Sequence, residues 1–181
     1  MSGPVTHDPV LPAIGIVMGA LQDAYSPASS FPPVKGTDTV HFFAGQAAAT
    51  AVWNPSAAAL TDWADTSGCE EPFLWVRLDT RYHAGVLPNH VVETTCDTPR
   101  AVAVEVGVGR CAVIDLQPSW DDYDTEAALS LEDSWRLECA KRAAAARLRA
   151  ANYIVALEDV VAFGPEGGII GWSGMIHIQY G

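Results

Sequence analysis

Three groups of residues have the types and spacing to do chemistry. The first is Glu105-Val106-Gly107-Val108-Gly109-Arg110-Cys111, in which a β-branched run and an acid lead into Gly-x-Gly. Loops that grip S-adenosylmethionine or a dinucleotide have this order. Their glycines let the backbone approach the ligand, and a helix N-terminus then faces its anionic group. Here the third small residue is Cys111, not glycine. The following Ala112-Val113-Ile114-Asp115-Leu116-Gln117-Pro118 lacks helical spacing, and too little chain remains to complete a doubly wound sheet. The segment is expected to be a continuous valine strand whose glycines mark a bulge or a close backbone approach.

The second group is His83, His90 and Cys96, between two alternating segments. A thiol beside an imidazole is the pair that makes a nucleophile, and two His with a Cys are three ligands for zinc. No fourth ligand stands at a suitable spacing, so a solvated loop with an incidental thiol is the plainer expectation. The third group is Asp121, Asp122 and Asp124. A calcium loop needs D-x-D-x-D-G and a closing Glu, and that frame is missing. These acids are expected on a solvated face, where they would contact a neighbour or repel DNA in a channel. No catalytic residue, cofactor or metal is expected.

The whole chain narrows the classes further. Its 181 residues predict a single domain, 1–181, large enough to bury a core. Net charge is −12 with only ten basic residues, which argues against general affinity for nucleic-acid phosphates. Cys69, Cys96, Cys111 and Cys139 show no metal-ligand spacing and are expected to be free thiols in a reducing cytoplasm. The N-terminus has no basic region, so no secretory leader is expected, and the longest apolar run is too short to span a membrane.

The elements that must position these residues follow from periodicity. Asp8-Pro9 sets an N-cap, and Leu11, Ile14, Met18, Leu21 and Tyr25 fall at helical spacing, predicting a helix over 9–25. The Pro- and Ser-rich stretch 26–38 is expected to be a mobile loop. Residues 39–54 hold one or two short strands, and Asn54-Pro55 opens a short helix that ends near Gly68. In 72–83, Leu74, Val76, Leu78 and Tyr82 share one strand face, with Phe73, Trp75, Arg77, Asp79 and Arg81 on the other. Val102, Val104, Val106 and Val108 alternate in the same way, so the two strands are expected to pair antiparallel. Gly164 to Gly168 is a turn between two last strands, the second running to the C-terminus as a sheet member.

Between the strand pairs, Ser130 and Asp133 form a capping pattern that predicts a long helix over 131–157. Trp135, Cys139, Ala143, Ala146, Ala150, Tyr153 and Leu157 mark its expected sheet-facing stripe. A bulky residue at Ala146 is then expected to overpack that contact. Leu137, Ala144 and Leu148 form a second line, flanked by Lys141, Arg142 and Arg149, which is expected to be a subunit contact. Trp75, beside Arg77 on the more polar strand face, is a further candidate interface anchor. The sum is an α+β fold, a mostly antiparallel sheet packed against a long helix, with an N-terminal helix.

Residues 69–82, 101–114, the long helix with Asp133 and Cys139, and the terminal Glu166-Gly167-Gly168 to Gly181 together resemble head-to-tail connector proteins of long-tailed phages infecting actinobacteria. The order of elements is most similar to the tail terminator group, and the resemblance covers roughly residues 69 to 181. It implies a structural virion protein of the neck with no catalysis and no cofactor. Such a protein assembles with itself as a six-fold ring, ends the major tail tube protein's polymer and meets a head-side connector protein. Genomic DNA would pass through without specific binding, and no membrane is involved. Assembly would occur in the host cytoplasm, with the product carried in the virion. The basic Lys141, Arg142 and Arg149 would then meet the acidic 115–126 segment of a neighbouring subunit. Another connector layer, an adaptor or stopper, is the near alternative. A small S-adenosylmethionine-dependent methyltransferase is the alternative from a different class.

Overall fold

The structure is a computed structural model that describes residues 8–45, 71–92, 97–113, 117–166 and 168–180. Within them the chain runs α1 (Leu11–Tyr25), β1 (Val40–Ala44), β2 (Phe73–His83), β3 (Arg100–Cys111), α2 (Trp120–Ala150), β4 (Ile154–Glu166) and β5 (Ile169–Tyr180). The strands form one sheet in the order β1-β2-β3-β5-β4, antiparallel except for the parallel β1–β2 pair. Both helices lie on one face of it. The fold is α+β, as expected from the element order. The helix expected from Asn54 to near Gly68 lies outside the described residues.

The valine alternation in β3 builds the core. Val102, Val104, Val106 and Val108 point at the helices, where they meet Ile14, Val17 and Leu21 of α1 and Ile176 and Ile178 of β5. β5 sits between β3 and β4, so the C-terminal strand is central to the sheet. α1 starts two residues later than expected, with Val10 as N-cap. Asp8 still serves the helix entry, accepting from the Val10 amide at 3.0 Å. The loop at 26–38 crosses this end of the helices, where Arg136 bonds the Phe31 carbonyl and Arg110 the Val34 carbonyl.

One strand departs from simple alternation. β2 pairs Leu78 with Val104 but Thr80 with Ala103, so Asp79 is a bulge. A bulge shifts every later side chain to the opposite face. Tyr82 therefore lies with Ala101 and Ala103 on the face away from the helices, and Arg81 turns to the helix side, where it pairs with Asp8. This corrects the expected placement of both residues.

The long helix also differs from expectation. It spans Trp120–Ala150, and its capping box is Ser119 with Asp122. The same S-x-x-D pattern occurs at 119 and at 130. At the second copy, the Ser130 hydroxyl accepts from the Trp172 indole and Asp133 is taken by Arg110. The helix stops where Asn152 adopts φ 66°, and β-branched Ile154 and Val155 begin β4. Its buried line is Leu137, Ala140, Ala144, Ala145 and Leu148. The stripe expected to face the sheet is largely outside: Trp135, Cys139, Ala146 and Ala150 are exposed, Ala143 is half-buried, and Tyr153 and Leu157 lie beyond the helix end, Leu157 in β4. Ala146 cannot overpack a sheet it does not touch.

Candidate functional site

The Gly-x-Gly segment is strand throughout. β3 stays paired with β5 through Cys111, opposite Ile169, and with β2 through Gly109, opposite Phe73. On the face away from the helices, the Trp75 ring lies over Gly107. A Cβ at that position would stand 2.1 Å from Trp75 Cζ2. Phe73 stacks on the same indole at 5.8 Å and Phe163 meets it edge-on at 5.7 Å. The space a ligand's anionic group would use beside these glycines is filled by an aromatic side chain. The close backbone approach expected from the sequence is an approach to Trp75.

On the helix side, the next residue anchors a buried polar network. The Arg110 guanidinium grips Asp133 with two bonds, Nε to Oδ2 at 2.5 Å and Nη2 to Oδ1 at 3.0 Å. Nη2 also reaches the carbonyl of Val34 at 3.2 Å. One turn along α2, Arg136 Nη1 donates to the carbonyl oxygens of Phe31 at 2.7 Å and Ala24 at 3.3 Å, while Nε bonds Glu132. The Tyr25 hydroxyl donates to the Asp133 carbonyl at 2.9 Å. Burial pushes the Asp133 carboxyl upward against the opposing pull of Arg110. Burial, then the Asp133 charge, pushes the Tyr25 phenol well above its usual range. Each charge has an internal partner, so the network ties the 24–35 stretch to α2 and leaves no free group for a substrate.

A second chain of polar groups crosses the other sheet face. Tyr82 Oη lies 2.7 Å from His177 Nδ1, and His177 Nε2 lies 2.7 Å from Glu158 Oε1. His90 stacks on the Tyr82 ring at 3.9 Å. Acid, imidazole and hydroxyl in this order can activate a nucleophile. Here burial and then the Glu158 charge raise the Tyr82 pKa, which opposes activation. The chain cross-links β2, β5 and β4. Sequence reasoning missed it because the β2 bulge, which has no local signature, is what brings Tyr82 to His177. Cys96 lies outside the described residues, and among those residues no cluster of three metal-ligating side chains occurs.

The residues expected at a subunit contact separate into two sets. Leu137 and Leu148 are fully buried between α1, α2 and the sheet, so they are core and not available to a neighbour. Lys141 is also buried. Its ammonium donates to the Glu158 carbonyl, and burial lowers its pKa. Trp75 is 3% exposed, and among the described residues its indole N–H has no hydrogen-bond partner. It is the filling beneath Gly107, not an exposed anchor. Arg142 and Arg149 do reach solvent, as do Asp121, Asp122 and Asp124. Asp122 is occupied by the capping box, where the Ser119 hydroxyl and amide lower its pKa.

The exposed side of α2 carries Trp135, which the sequence assigned to the sheet-facing stripe, together with Leu131. Leu131 is 71% and Trp135 61% exposed. Trp135 stands between two grooves. One of about 470 Å³ runs toward Val160 and Trp172, and one of about 190 Å³ runs toward Phe31 and Arg136. Cys139, on the same side, is a free thiol. Cys111 is disulfide-bonded, which corrects the expectation of four free thiols. Among the described residues no helix is long and apolar enough to cross a membrane. No protein-family model matches the chain, and no curated protein matches it in sequence.

Proposed function

We propose that the chain is a non-catalytic assembly protein of the phage neck. It is a ring-forming subunit that ends the tail tube and joins it to the head, as tail terminators do. The observation that carries this reading is the division of its side chains. Among the described residues Arg110, Asp133, Tyr82 and His177 are bonded inside the fold, while large apolar side chains of α2, Leu131 and Trp135, are left in solvent. A surface of that kind is built to be covered by protein. The reading also draws on the resemblance in element order, in which two strands, a long helix and two further strands follow one another.

The charge distribution suits a DNA conduit. Arg77, Arg81, Arg110, Arg136, Arg142 and Arg147 are each held in an ion pair, and Lys141 and Arg149 donate to backbone carbonyls. Acid exceeds base by twelve over the chain, although Lys35 and Arg100 also stand exposed. An acidic wall repels passing phosphates and prevents adhesion. A ring contact joins two different surfaces of one subunit and closes when the rotation closes. The neighbouring connector layers, adaptor and stopper, would use the same properties.

The test is polymerisation of the phage's major tail tube protein, followed by light scattering. Added at stoichiometric amounts to tube ends, this chain is expected to stop growth. Unchanged growth, together with saturable binding of S-adenosylmethionine in calorimetry, would favour the enzyme class instead.

A further inference from the structure

The exposed side of α2 has an order that says what covers it. At about 100° per residue, Asp121, Asp124, Leu131, Trp135, Cys139 and Arg142 fall within about 40° of one line along the helix, and Arg149 closes it. All of them are exposed. The line is acidic at its start, apolar in its middle and basic at its end. It is also centred on Trp135. Asp121 and Arg149 each lie fourteen residues from it, and Leu131 and Cys139 each lie four.

We propose that this stripe is the contact between two copies of the chain, with the two α2 helices antiparallel and a two-fold axis at Trp135. Under that symmetry Asp121 faces Arg149 of the second copy, and Leu131 faces its Cys139. The opposite orientation would stack acid on acid and base on base. Two chains of net charge −12 repel at long range, so a self-contact needs unlike charges brought together locally. The antiparallel pairing does this at both ends. Ala128 and Ala146, exposed on the same line, let the helix axes approach. The groove of about 470 Å³ beside Trp135 gives the second copy's indole a place to lie. A nucleic acid or an anionic membrane would meet Asp121 and Asp124 unfavourably.

An isologous contact closes with two copies. It uses the same exposed Leu131 and Trp135 that support the neck reading, as their cover in the free chain, so a folded monomer overturns this contact alone, while the neck reading is tested on tube ends. The experiment is sedimentation velocity on the full chain, with circular dichroism to confirm that each variant is folded. Wild type is expected to sediment as a dimer. Trp135→Ala, at an exposed position, should raise the dimer dissociation constant by about 30-fold or more. Arg149→Asp should weaken the dimer and Asp121→Arg with Arg149→Asp should restore it. Oxidised Leu131→Cys should give a disulfide-linked dimer through Cys139 of the second copy, lost when Cys139→Ser is added. A folded chain that stays monomeric up to about 100 µM would overturn the proposal. A dimer indifferent to Trp135→Ala, or a cross-link that survives Cys139→Ser, would do the same.

Discussion

Gly107 and Gly109 sit two residues apart on one strand, yet they face different constraints. A methyl group at Gly107 would enter the Trp75 ring, which Phe73 and Phe163 hold in place. At Gly109 the nearest atom to an added Cβ is Ile169 Cγ2 at 3.5 Å, an ordinary contact. Gly107→Ala is therefore expected to cost about 1–3 kcal/mol through overpacking. Gly109→Ala should be neutral or stabilise by about 0.4–1 kcal/mol, because it restricts the unfolded chain. Urea midpoints of the two variants check this, and equal midpoints would contradict the Trp75 packing. Tyr25 gives a second residue-level prediction. Its phenol is held neutral by burial, so the folded pKa lies above the unfolded one. That contribution is intact below pH of about 10 and is lost as pH rises through the folded value. Tyr25→Phe should lower stability at neutral pH by about 1 kcal/mol for the lost bond to Asp133. It should also flatten the alkaline loss, read as melting temperature against pH. An equally steep alkaline limb in the variant would assign that loss to other groups.

At the scale of elements, α2 decides most of the molecule's behaviour, and it carries two apolar lines. The buried one includes Asp133, Arg136 and Lys141 among its small and aliphatic residues. By composition it looks like the wetter side. It can be buried because Arg110, the carbonyls of Ala24 and Phe31, and the carbonyl of Glu158 receive those charges. All of these partners lie in other elements, so periodicity within the helix could not rank the two lines. The strands were more legible. The valines of β3 and the alternation of β5 each name their buried face without outside help, and only the Asp79 bulge reverses part of β2. The ranking of the helix faces is testable. Leu148→Ala should cost about 2–5 kcal/mol in urea unfolding, as a buried leucine does. Ala150→Leu should stay within about 0.5 kcal/mol of wild type, as an exposed position does. The reverse order would restore the original assignment of the stripe.

For the whole molecule, the sheet is covered by helices on one face, and its strongest polar groups are used internally. Arg110 and Arg136 bind carbonyls from Ala24 to Val34 and so tie the segment after α1 onto α2. None of this was legible in the Pro- and Ser-rich composition of that segment, because carbonyl acceptors are the same in every residue. The candidate contact residues were half legible. Arg142, Arg149, Asp121 and Asp124 were named and are exposed, whereas Leu137, Lys141 and Leu148 were named and belong to the interior. Trp135 is exposed although its apolar character assigned it to the sheet-facing stripe, and Leu131, given no face by the sequence, is exposed beside it. The proposal for a molecule with this distribution of groups is a building block of the phage neck. Electron micrographs of the purified chain mixed with tail tubes test that claim most directly. Closed rings seated on tube ends are the expected result. Bare tube ends, with no rings at any concentration of the chain, would contradict it.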